Sequence, residues 1–134
     1  MRAVDTNILV RMITRDDSRQ AAMAEAFTAT GAGVSHLVLA ETVWVLDAVH
    51  DLPADRIATA IEMLLQHESL TLQDADVVEA ALRNFQARPA LGFSDCLMLE
   101  IARKAGHLPL GTFDKRLGSL PGAERLGPRG VTRP

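Results

Sequence analysis

The sequence predicts an α/β domain in which a central parallel sheet of about four to five short strands is flanked by helices on both faces. Two observations lead to this prediction. Short candidate strands alternate along the chain with longer segments of helical periodicity, which is the order typical of a parallel sheet. The 134 residues are 48% hydrophobic, which is enough to form one hydrophobic core without stabilising disulfides or metal ions.

The first half of the chain supplies two strands and three helices. A strand over residues 2–5 is followed by a short helix that Asn7 opens and that covers residues 8–13. The acidic residues and serine at 16–18 offer an N-cap for a second helix, which ends at Gly31. A strand over residues 33–35 then leads into a strongly apolar helix over residues 37–49.

The second half continues the alternation. Pro53 suits the first position of a helix that runs to about residue 67, and residues 70–72 form a strand. The next helix begins at Asp74 or Asp76 and stops before Pro89.

A loop over residues 88–92 leads to the last elements. These are a helix over residues 94–105, a strand over 108–112, a short helix over 114–117 and an edge strand over 124–126. No linker or repeat interrupts the chain, so we expect one domain over residues 1–134, with 127–134 as a loosely ordered tail.

Composition restricts the compartment and the class of site. Cys96 is the single cysteine, so an intrachain disulfide is excluded and a reducing cytoplasm is the natural location. No apolar run approaches the ~20 residues that span a bilayer, and Asp5 lies where a signal peptide would need apolar residues. The four histidines lack zinc-ligand spacing, which argues against a structural zinc site.

Charge is distributed unevenly along the chain. The net charge is −3, yet the residues from Ile101 onward hold seven Lys or Arg and two acids. An acidic body with a basic final third suits a protein that binds a cation in one place and phosphates beside it. A solvated basic tail is the alternative interpretation of the same pattern.

Three carboxylates lie at the ends of predicted elements. Asp5 and Asp114 each follow a strand and precede a helix, and Asp95 lies in the first turn of a helix. Ligands of open parallel sheets bind at the carboxyl ends of the strands, so these places suit a site. Each residue has a structural alternative as a helix cap or a partner of the helix dipole.

Glu41 is the fourth candidate, because it lies within the apolar helix over residues 37–49. That helix is apolar nearly all round, so we expect it to be largely buried. A buried carboxylate needs a compensating group, which could be a cation or an arginine such as Arg11. We expect Trp44, in the same helix, to belong to the core.

Taken together, the four acids predict a metal site. All four acids lie after strands or near the starts of helices, and in a parallel sheet such positions lie on one edge: Asp5, Glu41, Asp95 and Asp114. Four converging carboxylates would repel each other without a cation. Oxygen ligands with no nearby His or Cys suit Mg²⁺ or Mn²⁺.

The same residues carry a resemblance to a known family. The chain resembles the PIN-domain ribonucleases, in particular the VapC-type toxins of bacterial toxin–antitoxin pairs. Four segments match the motifs of that family in order and at the right separations, and they span nearly the whole chain: Val4-Asp5-Thr6-Asn7-Ile8-Leu9, Ala40-Glu41-Thr42, Phe93-Ser94-Asp95 and Thr112-Phe113-Asp114.

The resemblance implies a PIN fold and endonucleolytic cleavage of RNA. It implies Asp5, Glu41 and Asp95 as the principal metal-binding acids, with Asp114 as the fourth. It also implies a homodimer and a cognate antitoxin whose C-terminal segment puts a basic side chain into the acidic pocket. Three further residues would orient carboxylates or water: Thr6, Asn7 and Thr112.

The expected mechanism is hydrolysis by a metal-activated water, which leaves a 5′-phosphate and a 3′-hydroxyl. No Ser, His or Cys nucleophile is required. Nearness in sequence to two of the acids suggests four residues that could guide the RNA backbone: Arg11, Arg15, Lys115 and Arg116. Solvated surface charge is the alternative role for each of them.

Three other functions fit parts of the pattern. A Mg²⁺-dependent phosphohydrolase of the haloacid-dehalogenase type needs a second Asp two residues after the first, where this chain has Asn7. A receiver domain needs a phosphoacceptor Asp after a central strand, and the strand at residues 70–72 ends without one. A non-catalytic PIN-like module that binds RNA or protein remains open, although all four acids are present.

Overall fold

The computed structural model describes residues 1–127, which fall into two compact units. The first unit is Met1–Asp76 and the second begins at Val77. We describe each unit by itself. The loosely ordered tail expected at residues 127–134 lies, apart from Gly127, outside the described residues.

A three-stranded parallel sheet forms the centre of the first unit. Its strands are β1 (Arg2–Ala3), β2 (Ala32–Val34) and β3 (Leu70–Leu72), in the order β1-β2-β3. Because all three run in one direction, their carboxyl ends lie on one edge of the sheet. The segments that follow β1 and β2 are therefore brought to the same edge.

Four helices connect and cover these strands: α1 (Thr6–Thr14), α2 (Ser18–Thr28), α3 (His36–Ala48) and α4 (Ala54–Gln66). Their apolar residues recur at the helical period, as α4 illustrates with buried Ile57, Ile61 and Leu64 on one side. Three side chains cap these helices by accepting hydrogen bonds from backbone N–H groups: Asp5 for α1, Asp17 for α2 and Ser35 for α3.

Three of these helices begin one or two residues from the predicted positions. The first, expected over residues 8–13 after Asn7, starts at Thr6, because the Asp5 side chain caps it. The third starts at His36 rather than at residue 37. The fourth starts at Ala54, and Pro53 is its N-cap rather than its first residue. These shifts are of the usual size at helix ends.

The second unit contains two long helices, α5 (Ala75–Ala87), whose first two residues precede the unit boundary, and α6 (Phe93–Ala105). A single 3₁₀ turn at Pro89–Leu91 lies within the predicted loop. The rings of Phe85 and Phe93 meet edge to face with centroids 6.0 Å apart, a favourable aromatic geometry.

Two further parallel strands complete the second unit: β4 (Leu110–Thr112) and β5 (Ala123–Arg125). The short helix predicted over residues 114–117 is displaced, and a 3₁₀ turn occupies Leu117–Ser119 instead. This turn lies against β5, where Gly118 provides the clearance. A Cβ at that position would come within 2.6 Å of the Arg125 Cβ.

The predicted α/β fold class is confirmed, because residues 1–127 form six helices interspersed with five strands, and within each sheet the strands are parallel. The strands form one group of three and one of two in the described residues. No helix in residues 1–127 is long and apolar enough to cross a bilayer.

Candidate functional site

Asp5 lies at the junction of β1 and α1 in the first unit. Its Oδ1 accepts a hydrogen bond from the backbone N–H of Ile8 at 3.3 Å, so the side chain caps the helix. The residue is exposed, and it lines a groove of about 510 Å³ between α1 and α2. Capping and exposure are compatible, because the bond engages one of the two carboxylate oxygens.

The adjacent residue, Thr6, connects this junction to α3. Its Oγ1 donates a hydrogen bond to Oε1 of Glu41 over 3.0 Å. The two residues are 35 positions apart in sequence, and the parallel pairing of β1 with β2 brings them together. The structure thus joins Glu41 to the residue that directly follows Asp5, and the Thr6 hydroxyl group orients the Glu41 carboxylate.

The expectation that α3 is largely buried is wrong on one side of the helix. Glu41 is exposed, and so is Trp44, with 65% of its surface accessible in the chain. Leu37 and Ala48 lie on the same exposed face. The buried residues of α3 are on its other side, so the helix is apolar on both faces but core-forming on only one.

Two consequences follow from this correction. Trp44 does not belong to the core, and with Thr6, Glu41 and Val45 it lines a depression of about 350 Å³. Glu41 also has no need of an arginine to offset burial. Arg11, the partner considered from sequence, instead pairs with Asp16 at 3.3 Å.

The two arginines of the first unit predicted to guide RNA are engaged with side chains. Besides its ion pair, Arg11 donates to Gln20 Oε1 at 2.6 Å, and Arg15 pairs with Glu25 at 2.6 Å. These contacts fasten α1 to the start and middle of α2. Asn7 is exposed and lines the same groove as Asp5.

Asp95 lies half-buried in the first turn of α6, in the second unit. Burial raises the pKa of this carboxyl group above its ordinary value, and the negative charge of Asp114 raises it further. Loss of solvation and repulsion by a like charge both disfavour the ionised form. The two predicted acids of this unit therefore lie close enough to repel each other.

Asp114 organises the turn that follows β4. Its Oδ1 accepts hydrogen bonds from the backbone N–H groups of Arg116 at 2.8 Å and Leu117 at 2.9 Å. Its own N–H donates to Oγ1 of Thr112 at 3.0 Å. Lys115 and Arg116 are exposed on this turn. Thr112 therefore holds the backbone of Asp114, and Asp114 in turn holds the segment that carries the two basic residues.

The donor set fits a hard divalent cation by its chemistry, although no complete cluster is formed. Carboxylate and hydroxyl oxygens are the ligands that Mg²⁺ and Mn²⁺ prefer. The pKa of Asp95 is raised first by burial and then by the charge of Asp114, and a bound cation would offset both effects by favouring the ionised carboxylate. In neither unit do the described residues group three or more His, Cys, Asp or Glu side chains for a metal. The convergence of all four acids stays a prediction.

Two residues of the second unit were not singled out by sequence reasoning. Glu100 is only 9% exposed; it accepts a hydrogen bond from Asn84 and forms an ion pair with Arg103. Because Asn84 lies on α5 and Glu100 on α6, the hydrogen bond joins the two helices, which is a structural role. Phe113 is 78% exposed beside Asp114. The available signal in the sequence was an aromatic residue directly before an acid and two basic residues.

Comparison with known proteins identifies the family. The PIN domain model matches residues 2–123, which include all four predicted acids. Among solved structures, the chain is similar to the Mycobacterium tuberculosis VapC20 toxin, a toxin that cleaves the sarcin–ricin loop. The identity is 20%, the match covers 92% of this chain and 98% of that chain, and the TM-score is 0.42. No curated protein matches the sequence. The match to the family model extends over both units, and the chain therefore belongs to the PIN domain family.

Proposed function

We propose that this protein is a Mg²⁺- or Mn²⁺-dependent endoribonuclease that acts as the toxin of a type II toxin–antitoxin pair. The observation that carries the proposal is the family match over residues 2–123, together with an acid at each of the four motif positions. A PIN-like module that only binds RNA or protein would have no need to keep all four.

In this proposal Asp5, Glu41, Asp95 and Asp114 supply the metal-binding carboxylates. The bound ion would lower the pKa of a coordinated water, and its positive charge would lie near the scissile phosphate. The neighbouring residues position the acids. Thr6 holds Oε1 of Glu41, and Thr112 holds the backbone of Asp114.

The electrostatics of the second unit support this role. A half-buried Asp95 with a raised pKa, next to a second acid, reduces the stability of the metal-free protein at neutral pH. Such an arrangement is often found where function requires clustered charge. A divalent cation would remove the repulsion.

The partners proposed are an RNA substrate, a cognate antitoxin and a second copy of the chain, all in the cytoplasm. The groove beside Asp5 supports the antitoxin proposal. Its lining combines apolar side chains, among them the 64% exposed Met23, with the acidic residue Asp5. An antitoxin segment with apolar residues and one basic side chain would match both features.

The test is cleavage of total RNA with mapping of the new ends. We expect cleavage with Mg²⁺, none with EDTA, and recovery when Mg²⁺ or Mn²⁺ is added back. The products should carry a 5′-phosphate and a 3′-hydroxyl. Asp5→Asn should abolish cleavage in a protein that melts as the wild type does. Asp47→Asn, an exposed acid on α3, is the matched control and should cleave normally.

Two results would overturn the proposal. Cleavage that persists in metal-stripped protein, or in folded Asp5→Asn, would remove the metal-bound acids from the reaction. Hydrolysis of a generic phosphomonoester without RNA cleavage would favour the phosphohydrolase alternative.

A further inference from the structure

Phe113 is the most exposed large apolar residue of the described chain apart from the N-terminal Met1, with 78% of its surface accessible. Large aromatic side chains usually contribute to stability by burial, and this one does not. A ring held out in water is therefore available for a contact with another molecule. The question is which kind of molecule it fits.

The backbone around Phe113 is fixed on both sides. On one side, Leu126 N–H donates to the Thr112 carbonyl oxygen at 2.7 Å, which joins the end of β4 to the residue after β5. On the other, Asp114 accepts two backbone hydrogen bonds, and Leu117 is 4% exposed and anchors the turn. The ring is thus carried by a turn of defined conformation, so binding would cost little backbone conformational entropy.

Charge decides between the classes of partner. Lys115 and Arg116 follow within three residues of Phe113, are exposed, and form no ion pair among the described residues. They differ in this from Arg11 and Arg15, which are paired with acids. An exposed ring beside two unpaired cations matches single-stranded nucleic acid, whose bases stack on aromatic rings and whose phosphates bind Lys and Arg.

We propose that Phe113 stacks on an unpaired base of single-stranded RNA while Lys115 and Arg116 bind the flanking phosphates. This inference rests on the proposed function for the identity of its partner. It goes further in naming Phe113 as a base-stacking residue of that site. Bases within an A-form duplex are stacked and cannot meet the ring, so the turn selects against paired RNA.

The experiment measures binding without cleavage. A fluorescein-labelled 12-nucleotide RNA of mixed sequence is titrated with the full chain in EDTA, alone and annealed to its complement, and the anisotropy gives Kd. Phe113→Leu keeps an apolar side chain and removes the ring, and Phe113→Tyr keeps the ring. Met63→Ala, at an exposed apolar position on α4, is the matched control.

We expect Phe113→Leu to raise Kd for the single strand about five- to 150-fold, the range that stacking of one base supports. Phe113→Tyr and Met63→Ala should stay within about twofold of wild type, by the same reasoning. The duplex should bind more weakly and be insensitive to Phe113→Leu. Lys115→Gln with Arg116→Gln should reduce the slope of log Kd against log salt by about 1.4, or about 0.7 for each phosphate contact.

Three results would overturn the inference. Wild-type affinity of Phe113→Leu for the single strand, or equal losses for single strand and duplex, would exclude stacking. A changed oligomeric state of Phe113→Leu in analytical ultracentrifugation, with RNA binding intact, would assign the ring to a protein contact. A wild-type protein that binds no single-stranded RNA in this assay would refute the inference, whereas the cleavage assay with Mg²⁺ decides the proposed function.

The two proposals can fail separately. If the wild type cleaves RNA and Phe113→Leu binds and cleaves equally well, the inference fails and the proposed function stands. If the wild type binds single strands through Phe113 but cleaves nothing with Mg²⁺, the inference stands and the proposed function fails.

Discussion

Replacing Thr6 with valine tests whether the hydroxyl bond to Glu41 prepares that carboxylate for its proposed role. Valine keeps the branched shape of the side chain and removes only the donor. The bond joins Thr6 Oγ1 to Glu41 Oε1 over 3.0 Å. A hydrogen bond to a charged group contributes roughly 1.5–3 kcal/mol, and exposure of Glu41 to water reduces this to about 1 kcal/mol.

The expected loss is therefore about fivefold in kcat/KM, since ~1.4 kcal/mol corresponds to tenfold in rate. The assay is the initial rate of cleavage of an RNA that the wild type cuts, measured over a titration of Mg²⁺. Thr6→Ser keeps the hydroxyl and should recover most of the rate. Melting temperatures of the variants establish that each protein is folded.

Wild-type kcat/KM in Thr6→Val, together with an inactive but folded Glu41→Gln, would refute this reasoning. It would mean that Glu41 needs no help from its neighbour. Equal losses in Thr6→Val and Thr6→Ser would instead assign the effect of Thr6 to packing rather than to its hydroxyl group.

Three predictions concern the second unit. Asp95→Asn should stabilise the metal-free protein at pH 7, because a carboxyl group whose pKa is raised in the folded state destabilises the fold when it is ionised. The gain in unfolding free energy should vanish below about pH 4, where the carboxyl group is protonated in the folded and the unfolded chain. Urea unfolding across pH would contradict this if the difference between variant and wild type did not change with pH. Gly118→Ala should lower the free energy of unfolding by about 1–3 kcal/mol, because the new Cβ would come within 2.6 Å of the Arg125 Cβ. The control is Gly111→Ala, whose Cβ would meet only an ordinary 3.6 Å contact and which should melt as the wild type does. Cys96 is buried with its pKa raised to about 11, so the native thiol should resist a disulfide reagent at pH 8 and react only on unfolding; rapid labelling of native protein would contradict this.

Much of the fold could be predicted because periodicity and breakers agree along this chain. The apolar spacing of α4 and the Gly106 that ends α6 place those helices to within a residue or two. Two element ends differ from the prediction because a side chain accepts hydrogen bonds from backbone N–H groups there. Asp5 caps α1 so that the helix starts earlier than predicted, and Asp114 forms a turn in place of the predicted short helix.

The candidate site was only partly predictable. The residue types and the pairing of β1 with β2 could be anticipated, and the structure brings Thr6 to Glu41 accordingly. The burial of Glu41 could not. Composition reveals that α3 is apolar all round, but it does not indicate which apolar face the chain buries and which it leaves exposed.

The hydrogen bonds that position three of the acids also set how each could hold an ion. Oδ1 of Asp5, Oε1 of Glu41 and Oδ1 of Asp114 each accept a bond from the protein, and the second oxygen of each lies outside that bond. Carboxylates held in this way favour ligation through one oxygen. Ca²⁺ commonly takes carboxylates through both oxygens, whereas Mg²⁺ keeps several waters and uses one or two carboxylates. Discrimination against calcium would then arise from these hydrogen bonds to the protein's own backbone and hydroxyl groups.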